Sequence, residues 1–587
     1  MARAHALRRA AAAATLLPAL LLAACMQVPD SGGVHAGPAM SSDDEPVLRY
    51  VPSGPRPGAD PVAVINGYLD AMRAYPSNPG IVRQFLTDEA RGSWTPGEGT
   101  QIYLDRPDME QVGRATVSIE TELLATLTAR GKWTTLQPAE RRLQQQFRLE
   151  RDHGEWRIAN PVDGLLVPEY HFERYYRAYS LYFLDPALRV LVPDQVYLPQ
   201  GDQTATLLLR GLLQGPTDWL RGAVGSFLPA TDHADVSVPI SDDGVAQVQL
   251  GSRARGLGVR ERELMAAQLT WTLRQVSDVE GVRVSVNGAL LPLEGDDTVT
   301  DVDTGADYDP ADSAAANQLF ALREGRVVVV DPVREVAKNV DGRFGNGDVV
   351  VSAFAVERTA QTVAAVIRGP RGRSRVEVAG IGSDEAQTWF DRGRSLLGLQ
   401  WDIHGLLWAV DRTPAGSRIY VMRGGRWAPV QLRGEAPQDI RSFELSRDGL
   451  RLVVVDGTGR SSRLLVGRVR RPPGGELDVA VDQWRAVDPG PSPVSGFADA
   501  AWASPTELTV VAEEIPGSRQ TFTMSIDGSV VEPSALVDVG LASVADAPVA
   551  DLPAVLETGS GRLLVQLSDR WTDLGLQGVI RRPAYVE

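Results

Sequence analysis

Five segments in the second half of the chain repeat one pattern. They are VVVSAFAVERTAQTVAAVI (349–367), LLGLQWDIHGLLWAVDR (396–412), IRSFELSRDGLRLVVVD (440–456), VSGFADAAWASPTELTVVAEE (494–514) and ADLPAVLETGSGRLLVQLSDR (550–570). Each is a short apolar strand, a tight polar or glycine turn, and a second apolar strand. The starts fall roughly every 45–55 residues, which is the period of a β-propeller blade. Such a unit cannot bury both faces alone, so successive units must stack. FALREGRVVVVDP (320–332) is the candidate sixth blade. Residues 317–587 are therefore expected to form an all-β propeller.

The N-terminus sets where the chain works. Arg3, Arg8 and Arg9 precede an uncharged stretch of Ala and Leu from Ala10 to Ala24. That stretch is short for a membrane span and ends in small residues, so it reads as a secretory signal over 1–24. It runs into Leu22-Ala23-Ala24-Cys25, and Cys25 is the single cysteine of 587 residues. No disulfide can form without a second cysteine. The tetrapeptide resembles the bacterial lipobox. That resemblance implies cleavage between Ala24 and Cys25, S-diacylglycerol on the thiol and an N-acyl group such as palmitate. Residues 25–60 are rich in Pro, Gly, Ser and Asp and read as a flexible tether. The expected location is the extracytoplasmic face of the cell membrane.

Loss of the leader removes three arginines and leaves 56 basic against 75 acidic residues, a net of −19. A chain so acidic is not expected to take nucleic acid or anionic lipid headgroups as bulk partners. Lysine occurs only at Lys132 and Lys338. Arginine in its place, with abundant Ala, Gly and Val, suggests a GC-rich genome of the actinobacterial kind.

Between tether and propeller lie two smaller units, so the chain is expected to be multidomain, α+β first and all-β last. In residues 61–200, PVAVINGYLDAMRAY places Val62, Ile65, Leu69 and Met72 on one helical face behind Pro61. Strand-like pieces follow, with Asp152-His153-Gly154-Glu155 as a hairpin turn. Helices followed by an antiparallel sheet resemble folds related to nuclear transport factor 2. The stripe Tyr175, Tyr179, Leu181 and Phe183 suits either a sugar-binding surface or, more simply, the buried face of a sheet. In residues 201–295, Leu212-Leu213-Gln214-Gly215-Pro216, Ala267-Gln268-Leu269-Thr270-Trp271-Thr272-Leu273 and Val282-Arg283-Val284-Ser285-Val286-Asn287-Gly288 resemble the three characteristic segments of the GerMN domain, an α/β module. Trp271 and Asn287 depart from the commoner residues there without disturbing the helix or strand.

Residues 296–316 are acidic and read as a solvated linker. Asp301, Asp303, Asp307 and Asp309 have almost the spacing of a calcium loop, but Gly305 replaces a ligand and no Glu closes it. No metal and no cofactor is expected. Nucleophile elbows, Walker A, H-E-x-x-H and C-x-x-C are absent, and His35, His153, His171, His233 and His404 are scattered. An enzyme is not expected. His404 reads as a turn residue, and Trp401, Trp408, Trp427, Trp502 and Trp571 as packing between blades. Ser446-Arg447-Asp448-Gly449 resembles the S-x-D-G turn of TolB-like propellers.

Lipobox, tether, α+β unit, GerMN-like unit, acidic stretch and propeller, in this order, resemble the LpqB family of actinobacterial lipoproteins. The resemblance implies an accessory of an MtrAB-type two-component system that contacts the ectodomain of the MtrB-like sensor histidine kinase. Its effects would reach cell-wall homeostasis and division. The alternative is a lipoprotein that binds peptidoglycan or other wall glycan without direct kinase contact.

Overall fold

A computed structural model describes residues 52–586, apart from 75–78, 105, 230–235, 294, 296, 312–314, 316, 370–371, 473–474, 536, 538, 550–551 and 568–569. The leader, Cys25 and most of the tether therefore lie outside the described residues. Among the described residues, no helix is long and apolar enough to cross a membrane.

The first domain opens with helix Pro61–Met72. Asp60 caps it by accepting a 2.8 Å hydrogen bond from the Ala63 amide, and Pro61 needs no amide partner at that position. Ile65, Leu69 and Met72 are buried as expected, Val62 is only partly buried, and Val64 and Tyr68 join the buried face. They pack on a seven-stranded sheet ordered Glu155–Ile158, Arg142–Asp152, Thr116–Thr128, Gly99–Tyr103, Leu165–Pro168, with two short strands added to the long third one. The pairing is antiparallel except between Gly99–Tyr103 and Leu165–Pro168. The hairpin at His153-Gly154 has φ values of 49° and 83°, the left-handed pair that a two-residue turn requires.

The second domain lays helix Val259–Leu273 across the parallel strands Val245–Leu250 and Gly281–Val286. From Leu264 to Leu273 every side chain of that helix is buried, so it is covered on all sides. One cover is hairpin Tyr176–Leu184/Leu191–Pro199. That hairpin, grouped with the first domain on the sequence, sends Tyr179, Leu181, Phe183 and Val196 into the second domain's core. Only its far end, Tyr176 and Tyr197, joins the first. The free edge of the hairpin is satisfied by side chains of the helix and of Gln275 just past its end. Gln275 bonds both the amide and the carbonyl of Ser180 at 2.8 and 2.7 Å. Gln268 donates to the Tyr182 carbonyl at 2.9 Å, and Thr272 accepts from the Tyr182 amide at 3.2 Å. Polar side chains on this helix and just past its end thus do what a neighbouring strand would do.

The acidic stretch is not a solvated linker where it is described. Thr300–Asp301 pairs with Gly281–Val286, and Trp271 and Thr270 donate to the carbonyls of Gly305 and Thr304 at 3.0 and 2.9 Å. Gly305, at φ 87°, allows this approach, since a Cβ there would sit 2.6 Å from Ala267.

The remaining strands form six sheets in a ring. Innermost strands are Val351–Val356, Leu396–Trp401, Ile440–Leu445, Ser495–Trp502 and Leu541–Ala545, and in the first blade the C-terminal Ile580–Tyr585. That last strand pairs with Leu319–Arg323, so the two ends of the propeller sequence share one blade and no edge is left open at the join. Each innermost strand has a register shift against its neighbour, a bulge that bends it where it lines the axis. The five repeats and the 320–332 segment correspond to the six blades. The 550–570 repeat supplies the second and third strands of its blade, because 541–545 is the first.

Candidate functional site

The turns of a four-stranded blade fall on two faces. Those joining strands one to two and three to four lie on one face. Those joining two to three, and blade to blade, lie on the other. The N-terminal domains dock on the first face. Leu450, in a one-to-two turn, packs with Val192, Leu220 and Ala223. Trp219 donates to the Gln483 carbonyl at 2.8 Å and lies under the Arg485 guanidinium, 4.4 Å from the ring centroid. Arg468 donates to the carbonyls of Trp219 and Arg221 at 2.7 and 2.9 Å and is held by Asp482 at 2.8 Å. Lys132 reaches Asp527 at 3.8 Å, and Tyr197 and Ser529 share a short hydrogen bond.

Two blade turns in this seam use one device. In Ser446-Arg447-Asp448-Gly449 the Ser446 hydroxyl bonds Asp448 and accepts from the Arg451 amide. Ser525-Ile526-Asp527-Gly528 repeats it, with Ser525 bonding Asp527 and accepting from Val530. The first clamp buries the Asp448–Arg451 ion pair, with Arg451 stacked 4.8 Å from Trp502. The second presents Asp527 to Lys132. Burial pushes the Lys132 ammonium below its usual pKa, and the neighbouring Arg485 adds to the effect.

His404 is a turn residue, as expected, but it also faces the second domain, with Asp185 at 4.0 Å. Burial, then Arg471, pushes its pKa down to about 4, so the ring is neutral at pH 7. In the same turn burial opposes ionisation of Asp402. Arg471 at 2.8 Å and a hydrogen bond from Trp408 outweigh it and hold the carboxyl below its usual range.

The propeller axis is nearly filled. Its cavity, bordered by Gln400, Glu444 and Asp546, is about 70 Å³, too small for an organic ligand. Burial and the nearby Asp499 push Glu444 up to about 8. Burial pushes Asp499 and Asp546 up to about 6.

The other sequence candidates separate. Tyr179, Leu181 and Phe183 are core, and Tyr175 is half-buried against the first domain. Trp271 is buried, with Arg274 over its ring at 3.4 Å. Trp401, Trp408 and Trp502 are buried between blades, and Trp427 and Trp571 half-buried. Asp301 and Asp309 cap turns by accepting from Asp303 and Ala311. Among the described residues, Asp88, Asp152 and His153 are the one group whose metal-type donors converge, where the hairpin turn meets the start of the short helix Asp88–Ser93. His153, His171 and His404 lie in three different places, and His35 and His233 lie outside the described residues. Trp219 was not singled out on the sequence; its signal is a large aromatic just after a Gly-Pro helix stop, outside any helical or strand periodicity.

Among the described residues, the N-terminal domains leave the opposite propeller face uncovered. Val350 and Val579, at the entries to innermost strands, and Ile515, in a two-to-three turn, are exposed there at 70%, 48% and 66%.

Comparisons with known proteins cover almost all of this architecture. Residues 54–173 match the family model described as Lipoprotein LpqB, N-terminal domain, and residues 325–586 match Lipoprotein LpqB beta-propeller domain. Residues 180–292 match Sporulation and spore germination. The Lipoprotein LpqB of Thermobifida fusca is 29% identical, covering 89% of this chain and 90% of its own. That of Mycobacterium bovis is 30% identical over 74% of this chain and 76% of its own. Among solved structures, the first GerMN domain of GerM from Bacillus subtilis is 26% identical, covering 21% of this chain and 97% of its own at a TM-score of 0.19. TolB from Acinetobacter baumannii is 14% identical, covering 55% and 85% at a TM-score of 0.35. Likenesses this slight carry no argument, and the fold stands on the strand order above. With both ends of the described chain and a whole-length relative in agreement, the chain belongs to the LpqB lipoprotein family.

Proposed function

We propose that the protein is a lipoprotein held on the extracytoplasmic face of the membrane by acyl groups on Cys25. There it modulates an MtrAB-type two-component system by contacting the ectodomain of the sensor histidine kinase. It acts without catalysis of its own. Through the kinase it influences cell-wall homeostasis and division. The observation that supports this reading is the uncovered propeller face with exposed Val350, Ile515 and Val579. Exposed apolar groups on a rigid rim suit a protein partner. A lipoprotein shifts a kinase only by binding one of its signalling states better than the other. The anchor makes a weak encounter effective by raising local concentration. The alternative of wall-glycan binding loses most of the aromatic stripe that suits it, because Tyr179 and Phe183 are core and Tyr175 is half-buried.

The test is binding of the purified kinase ectodomain to the mature chain and to a Val350→Glu, Val579→Glu double variant. Binding by the parent that falls about tenfold or more in the variant supports the face. No binding by the parent at high concentration sinks the kinase reading.

A further inference from the structure

We propose that the first domain binds an amphiphile with a phosphorylated head and a hydrocarbon tail, in the cleft beside helix Pro61–Met72. The membrane as source of that ligand rests on the anchoring proposed above. The cleft holds about 840 Å³, within the range of small-molecule sites. Val64, Leu69, Phe85 and Met109 form the apolar side of its lining. Gly67 keeps that wall flush, since a Cβ there would meet the Phe85 ring at 2.6 Å.

Its charge is what selects the head. Arg56, Arg73 and Arg106 line it, against one carboxylate, Asp70, among the described lining residues. Asp70 is already paired with Arg73. Among the described residues, Arg56 and Arg106 have no carboxylate partner; Arg106 donates only to Asn66 Oδ1 at 3.5 Å. Arg73 also donates to the Tyr170 hydroxyl at 2.6 Å, and Tyr170 stands at the mouth, 60% exposed. On a chain of net charge −16, three arginines around one cleft are a local reversal of sign. Guanidinium forks match phosphate oxygens. The apolar wall matches a hydrocarbon tail, which a free phosphate lacks.

The placement is consistent with a membrane lipid. Ser53 to Ala59, at the start of the described chain, form part of the wall. Cys25 lies 25 residues before Tyr50, a stretch that spans at most about 90 Å when extended. An acylated chain therefore keeps this cleft within reach of the bilayer.

The test uses the full mature chain purified in neutral detergent, with binding followed by native mass spectrometry and calorimetry. The probes are farnesyl phosphate, phosphatidylglycerol, and farnesol as the uncharged control. Two variants at exposed positions leave the core intact: Arg56→Glu with Arg106→Glu, and Ala63→Trp, which fills the cleft. Saturable binding of either phosphorylated lipid, about tenfold weaker in each variant and much weaker for farnesol, is expected. Binding of farnesyl phosphate alone assigns the ligand to lipid-linked intermediates, and of phosphatidylglycerol alone to the bilayer. Absence of binding by both, parent-like binding in both variants, or farnesol binding as tightly as its phosphate overturns the proposal. The intact mass separates this from the anchor: an acylated chain that does not bind refutes the cleft only, and an unacylated chain that binds refutes the anchor only.

Discussion

Replacing Trp219 by Ala is expected to loosen the seam without unfolding the domains. Three contributions are lost. The hydrogen bond to Gln483 is solvent-accessible and contributes about 0.5–1 kcal/mol. The Arg485 guanidinium at 4.4 Å contributes about 1 kcal/mol. The half-buried indole, packed with Leu220, Val192 and Leu450, removes roughly 100 Å² of apolar area beyond what Ala retains, about 2.5 kcal/mol. The total is about 4 kcal/mol as an upper figure, because the undocked state keeps part of that burial. Local opening of the seam should then rise by about 100-fold or more. Backbone hydrogen exchange reads this directly. The amides of Leu220, Arg221 and Ala223, bonded within their own turn, should lose protection, while those of helix Val259–Leu273 keep theirs. Unchanged protection at 220–223, or an equal loss throughout the molecule, would refute the reasoning.

Other substitutions follow from the same contacts. Arg451→Met leaves Asp448, buried at 0% exposure, without its cation. It should cost about 3–5 kcal/mol, seen as a lower urea midpoint by tryptophan fluorescence, with much of the loss recovered when Asp448→Asn is added. Trp271→Ala removes a core indole and its bond to Gly305. It should destabilise by about 3–5 kcal/mol in thermal melts, and a stable variant that only loses wall retention would contradict the burial seen here. Glu444 is an acid whose folded pKa, about 8, lies above its unfolded value. The folded state therefore binds the extra proton, and stability declines as pH rises from about 4 to about 8. Glu444→Gln should flatten the dependence of the urea midpoint in that window and raise it more at pH 8 than at pH 5.

The propeller was legible because its signal is local. Each strand pair in 349–367 or 440–456 is joined by a tight turn, so both strands and turn fall in one short window. Closure of the ring was not legible. Ile580–Tyr585 carries Arg581, Arg582 and Pro583, which hide its alternation, and its partner is more than 250 residues away in sequence. The domain boundary moved for a related reason. Tyr176–Leu184 reads as a strand from either side, and its core packing and the edge-satisfying Gln268, Thr272 and Gln275 show which domain owns it. Acidic composition suggested solvent for 296–316, yet backbone carbonyls at 304 and 305 dock on Trp271 and Thr270. The second S-x-D-G turn, at Ser525, was readable on the pattern of the first. What the two turns hold, Lys132 in one case, was not, because it depends on domains meeting in space.

The most direct test of the central claim is capture of partners in the native bacterium, comparing the anchored protein with Cys25→Ala after crosslinking and mass spectrometry. The account predicts one sensor histidine kinase, recovered with the anchored form and lost or much reduced with Cys25→Ala. Equal recovery by both forms, or recovery of cell-wall enzymes and muropeptides alone, would contradict it.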